Sequence, residues 1–219
     1  MEHKYLIVDR QEVISCCLKY FLVQLAQMPE VVSATSMKRA YEVAFINKSV
    51  MTPFVIAFMD LQLPNYEEKN LINGEDLALL FRSKHPKTKI VFVLSEYTNE
   101  DLFRINKKIK PEGIIDKEDI REESLLGHLE LIASGGKYMS PTIEEKLKRY
   151  TDYIPLLKSI DLQIIRLIHQ GITTKNIPKY LHITLSTVHK RKHRIKHILE
   201  IDQGNDEDIL RVCREKGVL

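Results

Sequence analysis

Long apolar runs are missing from this 219-residue sequence. No stretch approaches the roughly 18 residues that cross a bilayer, so no membrane partner is expected. The start carries no signal-peptide pattern and goes straight into strand-like Tyr5-Leu6-Ile7-Val8. Cysteine is scarce. Cys16 and Cys17 are adjacent and Cys213 is remote, which makes neither a disulfide framework nor a set of metal ligands. A reducing cytoplasm is the expected setting. The phosphate-cradling loops of nucleotide enzymes are absent too: there is no Gly-x-Gly-x-x-Gly and no Gly-rich Lys-Ser/Thr loop. Asp60 is followed by Leu-Gln and not by the x-Asp of a phosphatase-like nucleophile motif. These absences argue against an enzyme, and no catalytic residue is assigned.

Charge is plentiful but unevenly spread. Residues 1–145 hold 18 Lys/Arg against 22 Asp/Glu, whereas residues 146–197 hold 12 against 2, with five histidines besides. The tail, 198–219, has 3 against 6. A basic block this concentrated reads as a nucleic-acid surface, against the blander alternative of a solvated helical pair.

The first part alternates strand-like and helix-like segments. Six apolar residues, Phe54 to Met59, lead to Asp60, the pattern of a strand buried on both faces. Similar short runs end on Asp9, on Ser95 and on Lys117, with an edge strand at 31–34 and helical periodicity between them. The alternation predicts a five-stranded parallel sheet with helical crossovers, hence an α/β domain. Four of its strands then deliver Asp9, Asp60, Ser95 and Lys117 to one edge, where open α/β sheets bind ligands. Taken singly, the acids are turn caps, the serine an N-cap and the lysine a solvated residue. Together they make chemical sense as a phosphoryl site. Two carboxylates hold a hard divalent cation, one of them accepts a phosphoryl group, and a hydroxyl and an ammonium bind its oxygens.

The order Asp9, Asp60-Leu-Gln-Leu-Pro64, Ser95, Gly113 and Lys117 resembles the receiver domain of bacterial two-component response regulators. The resemblance covers about residues 3–134 and implies a flavodoxin-like domain over 1–135. It makes Asp60 the phosphoacceptor for a sensor histidine kinase. It also implies Mg²⁺ held by Asp9, Asp60 and the Gln62 carbonyl, with Ser95 and Lys117 as the switch and phosphate-pairing residues. Three features depart from the pattern. Arg10 stands where a second acid usually supplies a metal ligand, which weakens Mg²⁺ binding. Its guanidinium either replaces part of the cation's charge, or points to solvent or pairs with Glu12. The loop 65–73 is longer than usual, and Ile114 stands where an aromatic switch residue is common.

After Gly135-Gly136 and Ser140-Pro141 a linker is expected over 136–155, followed by a small all-helical domain over 156–219. Gly171 stops one helix, Thr173 or Thr174 caps the next through Leu181, and Thr184 caps a basic helix from Leu185 to about Leu199. Helix, tight turn and basic helix are the helix-turn-helix signature. Val188, Ile195 and Leu199 form the expected buried stripe. Ser186, His189, Lys190, His193, Arg194 and His197 face outward, with Arg191, Lys192 and Lys196 flanking them toward phosphate.

Residues 157–201 also resemble the LuxR-type domain of NarL/FixJ response regulators, through Ile165-Arg-Leu-Ile-His-Gln-Gly171, Thr174-Lys-Asn-Ile177 and Thr184-x-x-Thr187-Val188. The resemblance places DNA contacts at Thr187, His189, Lys190, His193 and Arg194. Pro178 and His182 mark a divergent branch. Ile209, Leu210 and Cys213 in a last helix fit either dimerisation or simple packing. The chain therefore reads as a cytoplasmic response regulator, dimeric on DNA, controlled by phosphorylation of Asp60. The rivals are a phosphorylation-independent pseudo-receiver, which Arg10 suggests, and a protein-interaction adaptor that has lost DNA binding.

Overall fold

The computed structural model describes residues 3–25, 29–46 and 53–219. These pack into two compact units, one built from the described residues up to 97 together with 104–144, the other from 98–103 and 145–219.

The first unit is a parallel sheet of six strands: β1 (Lys4–Val8), β2 (Glu30–Ala34), β3 (Ile56–Met59), β4 (Lys89–Leu94), β5 (Gly113–Asp116) and β6 (Tyr138–Met139). They lie in the order β2-β1-β3-β4-β5-β6. Both faces are covered, which is why β1, β3 and β5 are buried at every residue and show no polar alternation. On one face Tyr5 and Ile7 of β1, Ile56 and Phe58 of β3 and Val91 and Val93 of β4 pack with α1 (Glu12–Leu25) and α5 (Glu122–Ala133). The intervening residues Leu6, Val8, Ala57, Met59 and Phe92 are buried on the other face.

The sheet has one strand more than the five expected. Tyr138-Met139, inside the stretch anticipated as a linker, pairs with Gly113-Ile114 of β5. A two-residue strand is too short to show a period, so only tertiary pairing makes Tyr138-Met139 a strand. Helix α6 (Pro141–Tyr153) follows at once. A second difference lies in the helical periodicity after the edge strand, which as a single helix would run over 36–47. Its α-helical part, α2, covers only Met37–Tyr41 and widens to a π-helical turn over Glu42–Ile46; residue 47 lies outside the described residues.

The long loop after β3 is itself folded. Tyr66 and Leu71 bridge across it, both are buried, and Glu67–Lys69 form one 3₁₀ turn that ends in left-handed Asn70. Asn73 then caps α3 (Gly74–Lys84), its side chain accepting from Glu75 N–H at 2.9 Å. Glycine at 74 is dictated by proximity: a Cβ there would lie 2.0 Å from the Asp60 carbonyl oxygen. The Gly74 N–H donates to the Leu61 carbonyl at 3.0 Å, fixing the start of α3 against the end of β3.

The second unit places α7 (Ser159–His169), α8 (Ile177–Leu181), α9 (Leu185–Ile198) and α10 (Asp206–Glu215) around one core. Val188, Ile195 and Leu199 are buried there, as their seven- and four-residue spacing predicts. Helix α8 starts later than the expected threonine cap. Pro178 sits in its first turn, where a missing N–H costs nothing, and Thr173 serves instead in the turn before it. His182 takes the left-handed conformation (φ 52°) that ends α8, and Thr184 Oγ1 accepts from Thr187 N–H to cap α9. Ile209 and Cys213 are fully buried in this unit's own core, and burial pushes the Cys213 thiol up to about 12. Simple packing therefore accounts for them.

The fit of α3 against β3 has a measurable consequence. Gly74→Ala must displace backbone at Asp60 and is expected to lower unfolding stability by about 1–3 kcal/mol in urea titration. An unchanged midpoint and slope would contradict the contact.

Candidate functional site

The strand order reverses direction between β1 and β3, and in such sheets the crevice outside the carboxyl ends of these two strands is the ligand site. Register brings Val8 opposite Met59, so the next residues, Asp9 and Asp60, emerge side by side. Both are buried, 2% and 3% exposed. Their backbones are tied to the neighbouring strands: Asp9 N–H donates to Ala34 O at 3.1 Å and Asp60 N–H to Val8 O at 3.0 Å.

Two carboxylates this close would repel, and Lys117 prevents it. Lys117 follows β5 directly, and its Nζ lies 2.8 Å from Asp9 Oδ2 and 2.8 Å from Asp60 Oδ2. The ammonium hydrogen-bonds Asp60 and, at 3.2 Å, Gln11 Oε1. Toward Asp9 Oδ2 it is well placed in distance but not in direction, leaving that buried oxygen ion-paired without a hydrogen bond. The remaining oxygens accept main-chain donors: Asp9 Oδ1 from Gln11 N–H at 2.8 Å, and Asp60 Oδ1 from Gln62 N–H at 3.2 Å. The cluster carries two negative charges and one positive.

The structure thus brings together Asp9, Asp60 and Lys117, with the Gln62 main chain beside them. Ser95 follows β4, the strand next to β3, and is exposed. Arg10 is exposed and forms no ion pair with Glu12 or any other described residue, so it does not pair with the carboxylates that Lys117 serves. Gln11 was not foreseen; nothing local distinguishes a glutamine two residues beyond a strand. Among the described residues no three His, Cys, Asp or Glu side chains converge as a metal site. Mg²⁺, however, keeps several waters and is typically held by one or two carboxylates plus phosphate oxygens. Asp9 and Asp60, with one buried oxygen lacking a hydrogen bond, fit that requirement.

In the second unit α9 presents Ser186, His189, Lys190, His193 and His197 to solvent, while Thr187 is half-buried beside its cap. The arginines behave differently from the exposed histidines. Arg194 donates to Leu156 O at 3.1 Å and lies 3.5 Å from Asp161, and Arg191 lies 3.5 Å from the other oxygen of the same acid. Lys192 reaches Thr174 and Asp206, and Lys196 the Gly204 carbonyl. These four side chains hold α9 to its own unit as well as adding positive charge. Asp161, fully buried at the start of α7, also accepts from Lys158 N–H at 2.9 Å. Its place in the first turn of a helix is a capping signature that could have singled it out.

No family model matches the sequence. Solved structures do match, over nearly the whole chain. A structure described as two RcsB dimers bound to two parallel DNAs is 18% identical, covers 98% of each chain and superposes with a TM-score of 0.67. The RcsB response regulator of Salmonella typhimurium, also 18% identical, covers 97% of this chain and all of its own, with a TM-score of 0.68. The response regulator ChrA of a heme-sensing two-component system covers 100% and 99% at 16% identity and a TM-score of 0.50. At these identities the likeness is one of fold, and the chain has the full-length fold of these response regulators.

Proposed function

We propose that this chain is a DNA-binding response regulator of a two-component system, controlling transcription in the cytoplasm as a homodimer on DNA and not acting as an enzyme. The observation that carries the reading is the buried Asp9–Lys117–Asp60 cluster at the switch point of the sheet. The proposed donor is a phosphohistidine of a sensor kinase. An Asp60 carboxylate oxygen attacks phosphorus, the phosphorus–nitrogen bond breaks, and the histidine leaves with its electron pair. Lys117 stays beside the new acyl phosphate and neutralises part of its added charge, while the exposed Ser95 hydroxyl is free to donate to a phosphoryl oxygen. Mg²⁺, when bound by Asp9, Asp60 and the Gln62 carbonyl, supplies further positive charge at those oxygens.

DNA is the proposed target of α9. His189, Lys190 and His193 stand exposed on one face, with Thr187 at its amino end and Arg194 set by Asp161 at its edge. Twofold recognition by two copies fits a helix-turn-helix unit. The RcsB structures, described as dimers on DNA, support this by likeness of fold.

Acetyl phosphate with Mg²⁺, followed by intact mass, is expected to add one phosphoryl group to the wild type and none to Asp60→Asn. Wild type without an adduct, beside a labelled control receiver, would replace this reading with the phosphorylation-independent one that Arg10 suggests.

Lys190→Ala and His193→Ala remove exposed side chains only. Each is expected to weaken DNA binding about 5- to 150-fold with helicity unchanged. Undiminished affinity in both would mean that α9 is not the DNA-contacting surface.

A further inference from the structure

Ile114 is fully buried within β5 and, being isoleucine, brings no hydroxyl and no ring to the position where receivers commonly carry an aromatic residue. A hydroxylated ring is present elsewhere. Tyr97, two residues beyond Ser95, donates its hydroxyl to Asp116 Oδ2. Asp116 immediately precedes Lys117 and is itself 4% exposed.

Asp116 is held on three sides. Its Oδ1 accepts from Glu118 N–H at 2.9 Å, capping the single 3₁₀ turn Lys117–Asp119 from which the lysine reaches the acids. Its Oδ2 takes the Tyr97 hydroxyl. Its N–H donates to Ser140 Oγ at 3.0 Å. Ser140 is completely buried, and its carbonyl accepts from Glu144 N–H to open α6. The far end of the Lys117 turn is bound to the same helix start: Asp119 accepts from Thr142 N–H and from Thr142 Oγ1, both at 2.9 Å.

The ionisation states suit these roles. Burial, then the bond to Asp116, pushes the Tyr97 hydroxyl above its ordinary value, keeping it a donor. Burial raises Asp119, but hydrogen bonds from Ser140 and Thr142 outweigh it and hold the carboxyl below the usual range, keeping it an acceptor. The turn that aims Lys117 therefore cannot shift without moving the loop after Ser95 or the first turn of α6. Helix α6 spans Pro141 to Tyr153, and its first turn belongs to the first unit.

We propose that Tyr97 and Ser140, by gripping Asp116, are positioning residues that set the Lys117 turn and carry the phosphorylation state of Asp60 to the start of α6. The inference rests on Asp60 being the phosphoacceptor. An acyl phosphate adds negative charge at Asp60, draws the ammonium toward its new oxygens, and pulls on a turn whose cap is bonded to both neighbours. Tyr97 thereby takes the part that Ile114 cannot play.

The test uses the full chain with acetyl phosphate and Mg²⁺, reading the Asp60 adduct by intact mass and amide hydrogen exchange over residues 140–150. Wild type, Tyr97→Phe and Ser140→Ala are compared at matched adduct. Expected is at least a fivefold change in exchange on phosphorylation of the wild type. In either variant that response is lost while its adduct still forms, whatever the drop in its thermal midpoint. A merely structural role would lower the midpoint and leave the response. Should both variants respond as the wild type does, the positioning role is overturned and the phosphoacceptor stands. A wild type that forms no adduct overturns both, and the mass alone tells the two failures apart. The two variants remove different bonds to Asp116, so one that fails to fold leaves the other to decide.

Discussion

The ammonium of Lys117 stands between two buried carboxylates, 2.8 Å from Asp9 and 2.8 Å from Asp60, and much of the first unit is arranged to keep it there. Like charges about 4 Å apart at an effective dielectric near 20 repel by about 4 kcal/mol, so neighbouring parallel strands could not both end on ionised acids without a cation beside them. The lysine comes from the end of β5, a strand adjacent to neither β1 nor β3. The order β1-β3-β4-β5 supplies it across the crevice, and the capped turn after β5 directs it inward. The ammonium is thereby shared between two acids, and a charge added at Asp60 would act on it directly.

A comparable device orders the second unit. Asp161 is an acid with no exposure in the first turn of α7, and two arginines of α9 each lie 3.5 Å from one of its oxygens. Removing one partner of a buried ionic contact is typically costly, so the acid fixes the rotation of α9 about its axis as well as the placement of Arg194. The exposed face that remains, Lys190 and the histidines beside it, is what the unit can offer to a ligand. Charge counted along the sequence overstated how much of the basic block is available, since Lys192 and Lys196 are engaged within the unit.

What the sequence could and could not disclose follows from the range of the interactions. Apolar runs that end on Asp9, Asp60 and Ser95 are local patterns with a local cause, burial on both faces, and they placed the carboxylates correctly at one sheet edge. The spacing of Val188, Ile195 and Leu199 is equally local, and all three are core. The sixth strand was invisible because its two residues gain their conformation only from pairing with β5. The π-helical turn at Glu42–Ile46 was likewise hidden, since α- and π-helical residues share one composition. Gln11, Asp116 and Ser140 meet their partners across long separations in the chain or through main-chain groups that carry no residue signature. Whether Arg10 pairs with the acids could not be read either: its residue type allows it, but in the structure Lys117 pairs with both acids and Arg10 is exposed.

The central claim is that the lysine offsets the charge of the two acids, and a double-mutant cycle on unfolding free energy measures this directly. Lys117→Met, Asp60→Asn and the double variant would be unfolded in urea in the presence of a chelator, so that no divalent ion substitutes for the ammonium. Lys117→Met alone is expected to cost about 3–5 kcal/mol, the penalty for stripping the partner from buried charge. Much of that loss should return when Asp60→Asn is added, giving an interaction energy of at least about 1 kcal/mol. Effects that simply add, to within about 0.5 kcal/mol, would contradict the account and leave the lysine as a bystander to the acids.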